Sequence, residues 1–311
     1  MPSKKVKVLY IAGSGRSGST ILGRILGQYK GFFFAGELCK IWRYGLMENR
    51  VCGCGLPFKD CAFWKKIMYM AFGDQENIDG HEIYNLRQKS AYMRHIPRML
   101  VSGNKSLHDS NFNKFADVLQ KLYHAIQAHT GCRVIVDCSK TAPYGYVLES
   151  LRSIDLYILH LVRDPRGVAY AKLQKYLYQP GDGNSVYAGQ AGVMKSSVIW
   201  NVQNYAVEAF WKKHKDCYLR IHYENFATDP VATLTPIIEM MNEDTSSLPF
   251  IGKHRVTLDE KTHTAAGNPV RFNAGTVDIK LDQTWQENMS SKNKRLIKLA
   301  TFPLFKKYGY R

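Results

Sequence analysis

The sequence predicts an α/β fold. We expect a single domain over residues 1–311, with a central parallel sheet of about five strands flanked by helices and a helical insertion at about 38–130. Three observations predict it. An apolar, β-branched run from Val6 to Ala12 passes through a glycine-rich turn into a segment with helical spacing. Four more short apolar runs follow, Gly31–Gly36, Arg133–Asp137, Leu156–Val162 and Tyr218–His222, separated by stretches of helical periodicity. The chain has 311 residues, 45% hydrophobic and 22% charged, which suits one substantial core.

The first run is a buried strand. Gly13-Ser14-Gly15-Arg16-Ser17-Gly18-Ser19-Thr20 then makes a tight loop whose amides can converge on an anion. Ile21, Leu22, Ile25 and Leu26 recur at helical spacing, so the loop feeds a helix. Strand, loop and helix N-terminus together form a P-loop-like phosphate cradle. An NTPase P-loop carries lysine after its second glycine, but here Ser19 follows Gly18 and the cation is Arg16. Such a loop is poorly equipped to handle a γ-phosphate beside Mg²⁺. A P-loop kinase is the competing enzyme, and an ordinary glycine-rich turn is the plainest alternative.

The loop resembles the 5′-phosphosulfate loop of the sulfotransferases that use PAPS, 3′-phosphoadenosine 5′-phosphosulfate. The resemblance implies that Gly15, Arg16, Ser17, Gly18, Ser19 and Thr20 hold the 5′-phosphate, with Arg16 near the sulfuryl group. Cytosolic members usually carry lysine at the Arg16 position and tryptophan against the adenine, where this chain has Ile21. Arg163-Asp164-Pro165-Arg166 resembles the family's 3′-phosphate motif. Ala171 stands where many members have a phosphate-binding serine, with Lys172, a cofactor-binding candidate, beside it. Tyr223-Glu224-Asn225-Phe226 resembles a segment whose tyrosine lies by the adenine, so Tyr223 becomes the expected platform. His263 to Phe272, HTAAGNPVRF, resembles the loop that closes over the 3′-phosphate through Arg271. These motifs run in family order from Val6 to Trp285.

Composition narrows the partners. Net charge is +17, which fits an anionic cofactor, an acidic partner or nucleic acid. The basic residues are scattered and no nucleic-acid module is visible, so no nucleic-acid partner is expected. A non-catalytic anion- or RNA-binding protein is the alternative outside the enzymes. No run approaches a membrane span, and the first strand leaves no secretory apolar region, so a cytoplasmic protein is expected. Seven cysteines, an odd number, argue against a disulfide framework. Cys52, Cys54 and Cys61 read as a tight structural turn beside a helix around Phe63 to Met70. A zinc site with Cys39 as fourth ligand is the other reading.

The rest of the chain follows in order. Glu37 ends the second strand, where it either faces the crevice or stabilises a helix start. Sulfotransferases acting on heparan-type sugars carry a general-base glutamate at the end of their second strand, and the resemblance implies the same role for Glu37, with its pKa raised by burial. Residues 62–130 read as helical and as the substrate cover. Ile83, Leu86, Tyr92, Met93 and Ile96 suggest one amphipathic helix, and Phe112 to Ile126 a second, capped by Asp109, Ser110 or Asn111. The third strand ends in Asp137-Cys138-Ser139-Lys140. An NTPase would hold magnesium there, whereas Lys140 would balance charge on sulfuryl oxygens or simply sit on the surface. Asp164 suits an N-cap and Pro165 the first helical turn. Residues 178–192 read as a mobile lid loop. Asp229 and Pro230 start a helix through Met241. His263 is either a second base candidate or a structural histidine.

The reading that absorbs all of this is a sulfotransferase moving a sulfuryl group from PAPS to a hydroxyl, or less readily an amine. The acceptor would be a small molecule, a sugar or a carrier-bound chain. The chemistry requires no metal. Adenosine 3′,5′-bisphosphate is the product, and Arg16 with the loop amides stabilises charge on the bridging oxygen.

Overall fold

The computed structural model describes residues 5–74, 78–102, 109–174, 177–178, 186–187, 191–246 and 248–311. Strand β1 (Val6–Gly13) leads through the loop to α1 (Ser19–Leu26) and then β2 (Phe32–Gly36). Helices α2 (Ala62–Phe72), α3 (Gly80–Ser90), α4 (Ile96–Ser102) and α5 (Ser110–Thr130) lie between β2 and β3 (Val134–Lys140). Next come α6 (Ala142–Glu149), β4 (Ile154–Val162), α7 (Pro165–Leu173) and a two-stranded ribbon, β5 (Leu177–Tyr178) with β6 (Val186–Tyr187). Helix α8 (Val193–Trp211), β7 (Tyr218–His222), α9 (Tyr223–Thr228) and α10 (Pro230–Met240) complete the main layer sequence. Strands β8 (Phe250–Ile251), β9 (Arg255–Leu258) and β10 (Gly275–Asp278) form a small antiparallel sheet, and α11 (Thr284–Asn288) and α12 (Ser291–Lys307) end the chain.

The central sheet has five strands in the order β2-β3-β1-β4-β7, and every neighbouring pair is parallel. β1 sits at its centre because it is apolar on both faces. Val6, Val8, Tyr10 and Ala12 enter one core with the insertion helices and α6. Leu9 and Ile11 enter a second core with α1 and α10. That alternation is the period of a strand. Each such side chain taken from water contributes about 1.5–3 kcal/mol. The α2–α5 helices therefore pack against the same sheet rather than standing apart from it.

Several predicted elements stand where the sequence put them. Asp109 caps α5 by accepting from the Phe112 amide at 2.9 Å. Asp164 caps α7 through the Arg166 amide at 2.8 Å. Asp229 caps α10 through the Ala232 amide at 3.1 Å. Such caps contribute roughly 1 kcal/mol each. Two expectations need correction. Strand β3 does not end at Asp137 but runs to Lys140, with a bulge where its register against Tyr10 and Ala12 of β1 slips. The single amphipathic helix over 83–96 is broken at Ala91 and Tyr92 and resumes as α4, where Pro97 suits a first turn. The small β8–β9–β10 sheet was not foreseen. Apart from Tyr178, residues 186–187 and residues 191–192, the lid expected at 178–192 lies outside the described residues.

Candidate active site

Parallel strands bring their carboxyl ends to one edge, and ligands of open α/β sheets sit there. At this edge β1 opens into the glycine-rich loop. Arg16 and Gly18 both have left-handed backbone, with φ 69° and 85°, on either side of Ser17. Alternating handedness of this kind turns successive amides toward one point. The buried Ser17 hydroxyl donates to the Ser14 carbonyl at 2.8 Å and fixes the turn. Gly18 is also required by space, because a Cβ there would lie 2.6 Å from the Tyr223 ring. Ser19 and Thr20, both buried, begin α1. Lys172 on α7 faces this loop. Burial first, and then the Arg16 guanidinium, push its ammonium down to about 8. Two cations crowd one mouth.

Arg163 leaves the end of β4 beside the same loop. Its Nη1 donates to the Arg16 carbonyl at 3.0 Å, and its Nη2 donates to the Asp282 carboxylate at 2.9 Å. Its own carbonyl accepts from the Trp200 indole at 2.9 Å. The guanidinium lies over the Tyr223 ring, 4.3 Å from its centre. Tyr223 is buried between this guanidinium and Gly18, so the platform expected for adenine has its face taken. The correction follows from packing: the tyrosine braces Arg163 against the loop. Glu224 ties the same corner, accepting from the Asp164 amide at 2.9 Å. Asp282 was missed in the sequence, since 119 residues separate it from its partner.

The ends of β2 and β3 carry a different cluster. Glu37 is buried, and its two carboxylate oxygens meet Lys140 at 2.8 Å and Lys40 at 2.6 Å. Burial alone would raise its pKa, but the two ammonium groups overrule burial and hold it at about 2. The expectation of a burial-raised base is thus reversed in this resting arrangement. Lys40 was missed, although its spacing three residues beyond Glu37 is the signal for an ion pair. Lys140 has left-handed backbone, φ 70°, and its ammonium also donates to the Cys138 carbonyl at 2.8 Å. Asp137 does not face the crevice as a magnesium ligand would. It is wholly buried, accepts from the Ser139 amide and hydroxyl at 2.8 and 2.6 Å and from the Tyr123 hydroxyl, and burial raises it to about 6. Ser139 in turn accepts from the Cys39 amide at 2.9 Å, which keeps Cys39 at the β3 edge.

Two predicted residues stand elsewhere. His263 points its Nδ1 at Cys61 and Cys52, with Sγ distances of 3.4 and 3.9 Å, and its ring stacks on Phe63. That ring nitrogen is turned toward sulfur. Arg271 is buried and gives Nη1 to the Thr264 carbonyl at 2.9 Å and Nη2 to the Val51 carbonyl at 2.6 Å. These contacts make it a strut between two chain segments rather than an open phosphate clamp.

An open parallel sheet whose central strand feeds a glycine-rich cradle, with arginine at the next strand end, defines an anion-handling α/β transferase. The sulfotransferase domain family matches the chain over residues 7–295, and the chain belongs to that family. Sulfuryl transfer is therefore its general chemistry. The fold is similar to the sulfotransferase domain from the curacin biosynthetic pathway, at 15% identity and a TM-score of 0.50, covering 99% of each chain. It is also similar to the sulfotransferase domain from the Synechococcus PCC 7002 olefin synthase, at 18% identity and 0.49, covering 100% of this chain and 98% of that one. No curated protein matches the chain. Among the described residues, no helix is long and apolar enough to cross a membrane.

Proposed function

We propose that the protein transfers a sulfuryl group from PAPS to a hydroxyl of a small-molecule, sugar or carrier-bound acceptor. An amine is the less favoured nucleophile. The observation that carries this reading is the left-handed amide loop at Arg16 and Gly18, with Arg163 from the end of β4 held beside it at 3.0 Å. Amides turned toward one point with cations beside them favour a bound anion. Gly15 to Thr20, Arg16 and Lys172 would hold the phosphosulfate end, and Arg163 the 3′-phosphate, exchanging Asp282 for it. PAPS supplies the activated sulfuryl group and leaves as adenosine 3′,5′-bisphosphate.

The residues of the chain then divide the work. Arg16 and the loop amides hold negative charge on the leaving oxygen. Lys140 turns from Glu37 toward the transferring group. Glu37, left with one ammonium, rises in pKa because burial again dominates, and it accepts the acceptor's proton. The helices between β2 and β3 cover the acceptor. Seven unpaired cysteines support a reducing, cytoplasmic setting.

The test is mass spectrometry of acceptor pools incubated with PAPS, reading for the gain of one SO₃. Calorimetry supplies the binding half. One charge-assisted phosphate site is worth about 1.5–3 kcal/mol, so adenosine 3′,5′-bisphosphate should bind at least about tenfold tighter than 5′-AMP. Equal affinities would remove Arg163 from its role, and tighter binding of Mg-ATP would point to phosphoryl transfer.

A further inference from the structure

We propose that Cys52, Cys54, Cys61 and His263 form a structural zinc site that fastens the segment 262–272 to the end of β2. The sulfur and imidazole atoms of these four residues all lie within 4.8 Å of one another. The sequence spacing gave only three of the four. Cys39 is not the missing ligand, because its thiol lies by the Ser139 carbonyl, 3.8 Å away. His263 closes the set from 202 residues beyond Cys61.

The distances fit the ion. Zinc takes sulfur at about 2.3 Å and imidazole nitrogen at about 2.0–2.1 Å in a tetrahedron, whose edges are then about 3.8 Å for sulfur–sulfur and about 3.6 Å for sulfur–nitrogen. The Cys54–Cys61 sulfurs are 3.7 Å apart, and His263 Nδ1 is 3.4 Å from Cys61 and 3.9 Å from Cys52. Three thiolates and one imidazole are a closed structural set, with no position left for water. Soft sulfur ligands also select against calcium and magnesium.

The backbone around the ligands is shaped for the task. Cys52 to Gly55 make a tight knuckle, closed by the Gly55 amide on the Cys52 carbonyl at 2.9 Å. Gly55 has φ 88°, a conformation that favours glycine. Gly53 is packed so closely on the histidine segment that a Cβ would lie 2.5 Å from the hydroxyls of Thr262 and Thr264. Cys61 is the N-cap residue of α2, where the helix dipole favours a thiolate. Phe63 holds the imidazole plane, with ring centres 4.4 Å apart and planes 7° apart.

The position explains why an ion would be useful. The segment carrying His263 continues to Ala265 and Ala266. The Ala265 amide bonds to the Ala35 carbonyl, and the Glu37 amide to the Ala266 carbonyl, each at 2.9 Å. Arg271 stitches the knuckle to the same segment through Val51 and Thr264. Zinc would lock this assembly and so set the backbone that carries Glu37. Its role is structural.

Elemental analysis of the full chain, purified without chelator and reduced, should find one zinc per chain. Cobalt exchange should give the visible bands of tetrahedral thiolate coordination. The double variant Cys61→Ser, His263→Ala should lose the metal. His263→Cys should keep it, and so should Cys39→Ser, which also shows that a cysteine substitution leaves the chain able to fold. Zinc release should lower the melting temperature whether or not the protein is active. Metal-free protein that takes up none on reconstitution would overturn the site, as would a disulfide among Cys52, Cys54 and Cys61. Full zinc content in the double variant would overturn it equally.

Discussion

Two clusters at one sheet edge treat burial in opposite ways. At the loop end, Arg16 and Lys172 are like charges, and burial with mutual repulsion takes Lys172 down to about 8. At the ends of β2 and β3, Glu37 lies between Lys40 and Lys140, and the opposite charges take it to about 2 in spite of burial. The first cluster brings two cations together; the second pairs its cations with its own carboxylate. The difference separates a place that gains by binding an anion from a place that must be rearranged before it reacts. On this account the cradle governs affinity and leaving-group charge, and the Glu37 cluster governs proton removal.

The largest effect should come from the self-neutralised cluster. Glu37→Gln keeps shape and removes the proton acceptor. We expect kcat to fall by about 10²–10⁴ with affinity for adenosine 3′,5′-bisphosphate nearly unchanged, read by steady-state rates and calorimetry. A near-normal kcat would mean that the cluster only positions the ends of β2 and β3.

Arg16→Ala tests the other side. Charge on the bridging oxygen grows as the sulfur–oxygen bond breaks, so kcat should fall by about 10²–10³, more than affinity does. If only the KM for PAPS changed, Arg16 would act in the ground state, and the division between the clusters would lie elsewhere.

Lys172 sharpens the comparison through pH. In the free protein its ammonium titrates near 8, and a bound phosphate anion raises that value. Below about 8 the group is charged in both states, so affinity for the bisphosphate should be flat. Above it, binding takes up a proton, and affinity should fall by up to about tenfold per pH unit. Lys172→Met should flatten that limb, as measured by calorimetry across pH 7–9.5 in buffers of different ionisation heat, about the span over which the linkage operates. A pH dependence unchanged in Lys172→Met would place the titrating group elsewhere.

Sequence and fold agree wherever the information is local. Val6 to Leu26 could be read because an apolar run, a glycine loop and a helical repeat adjoin one another. Asp109, Asp164 and Asp229 could be read because a cap acts two or three residues away. The break at Ala91 stayed hidden because Leu86 and Met93, on either side of it, keep helical phase, though Pro97 is a start signal in plain view. What needs the tertiary fold was out of reach. Asp137 looked like a strand-end carboxylate, and only the packing of α5 shows that Tyr123 covers it. His263 looked like a base until the fold set it beside three cysteines. Tyr223 looked open until Gly18 and Arg163 closed on it.

Asp282 offers the smallest and most discriminating effect. Its carboxylate holds Arg163 at 2.9 Å, and its side chain is about two-fifths exposed, so the pair is screened by solvent. Exposed pairs of this kind are worth about 0.2–1 kcal/mol. If Arg163 is the 3′-phosphate site, the incoming phosphate must displace this partner and meet its charge. Asp282→Asn keeps an oxygen for the Thr284 amide and hydroxyl, which Asp282 now accepts at 3.2 and 2.7 Å, but removes the competing charge. Affinity for adenosine 3′,5′-bisphosphate should therefore rise by roughly two- to fivefold, while affinity for 5′-AMP, which lacks the 3′-phosphate, should stay the same. A gain for both nucleotides alike would make Asp282 a general electrostatic brake on the cradle. A loss for the bisphosphate alone would mean that Asp282 orients Arg163 for binding rather than occupying it.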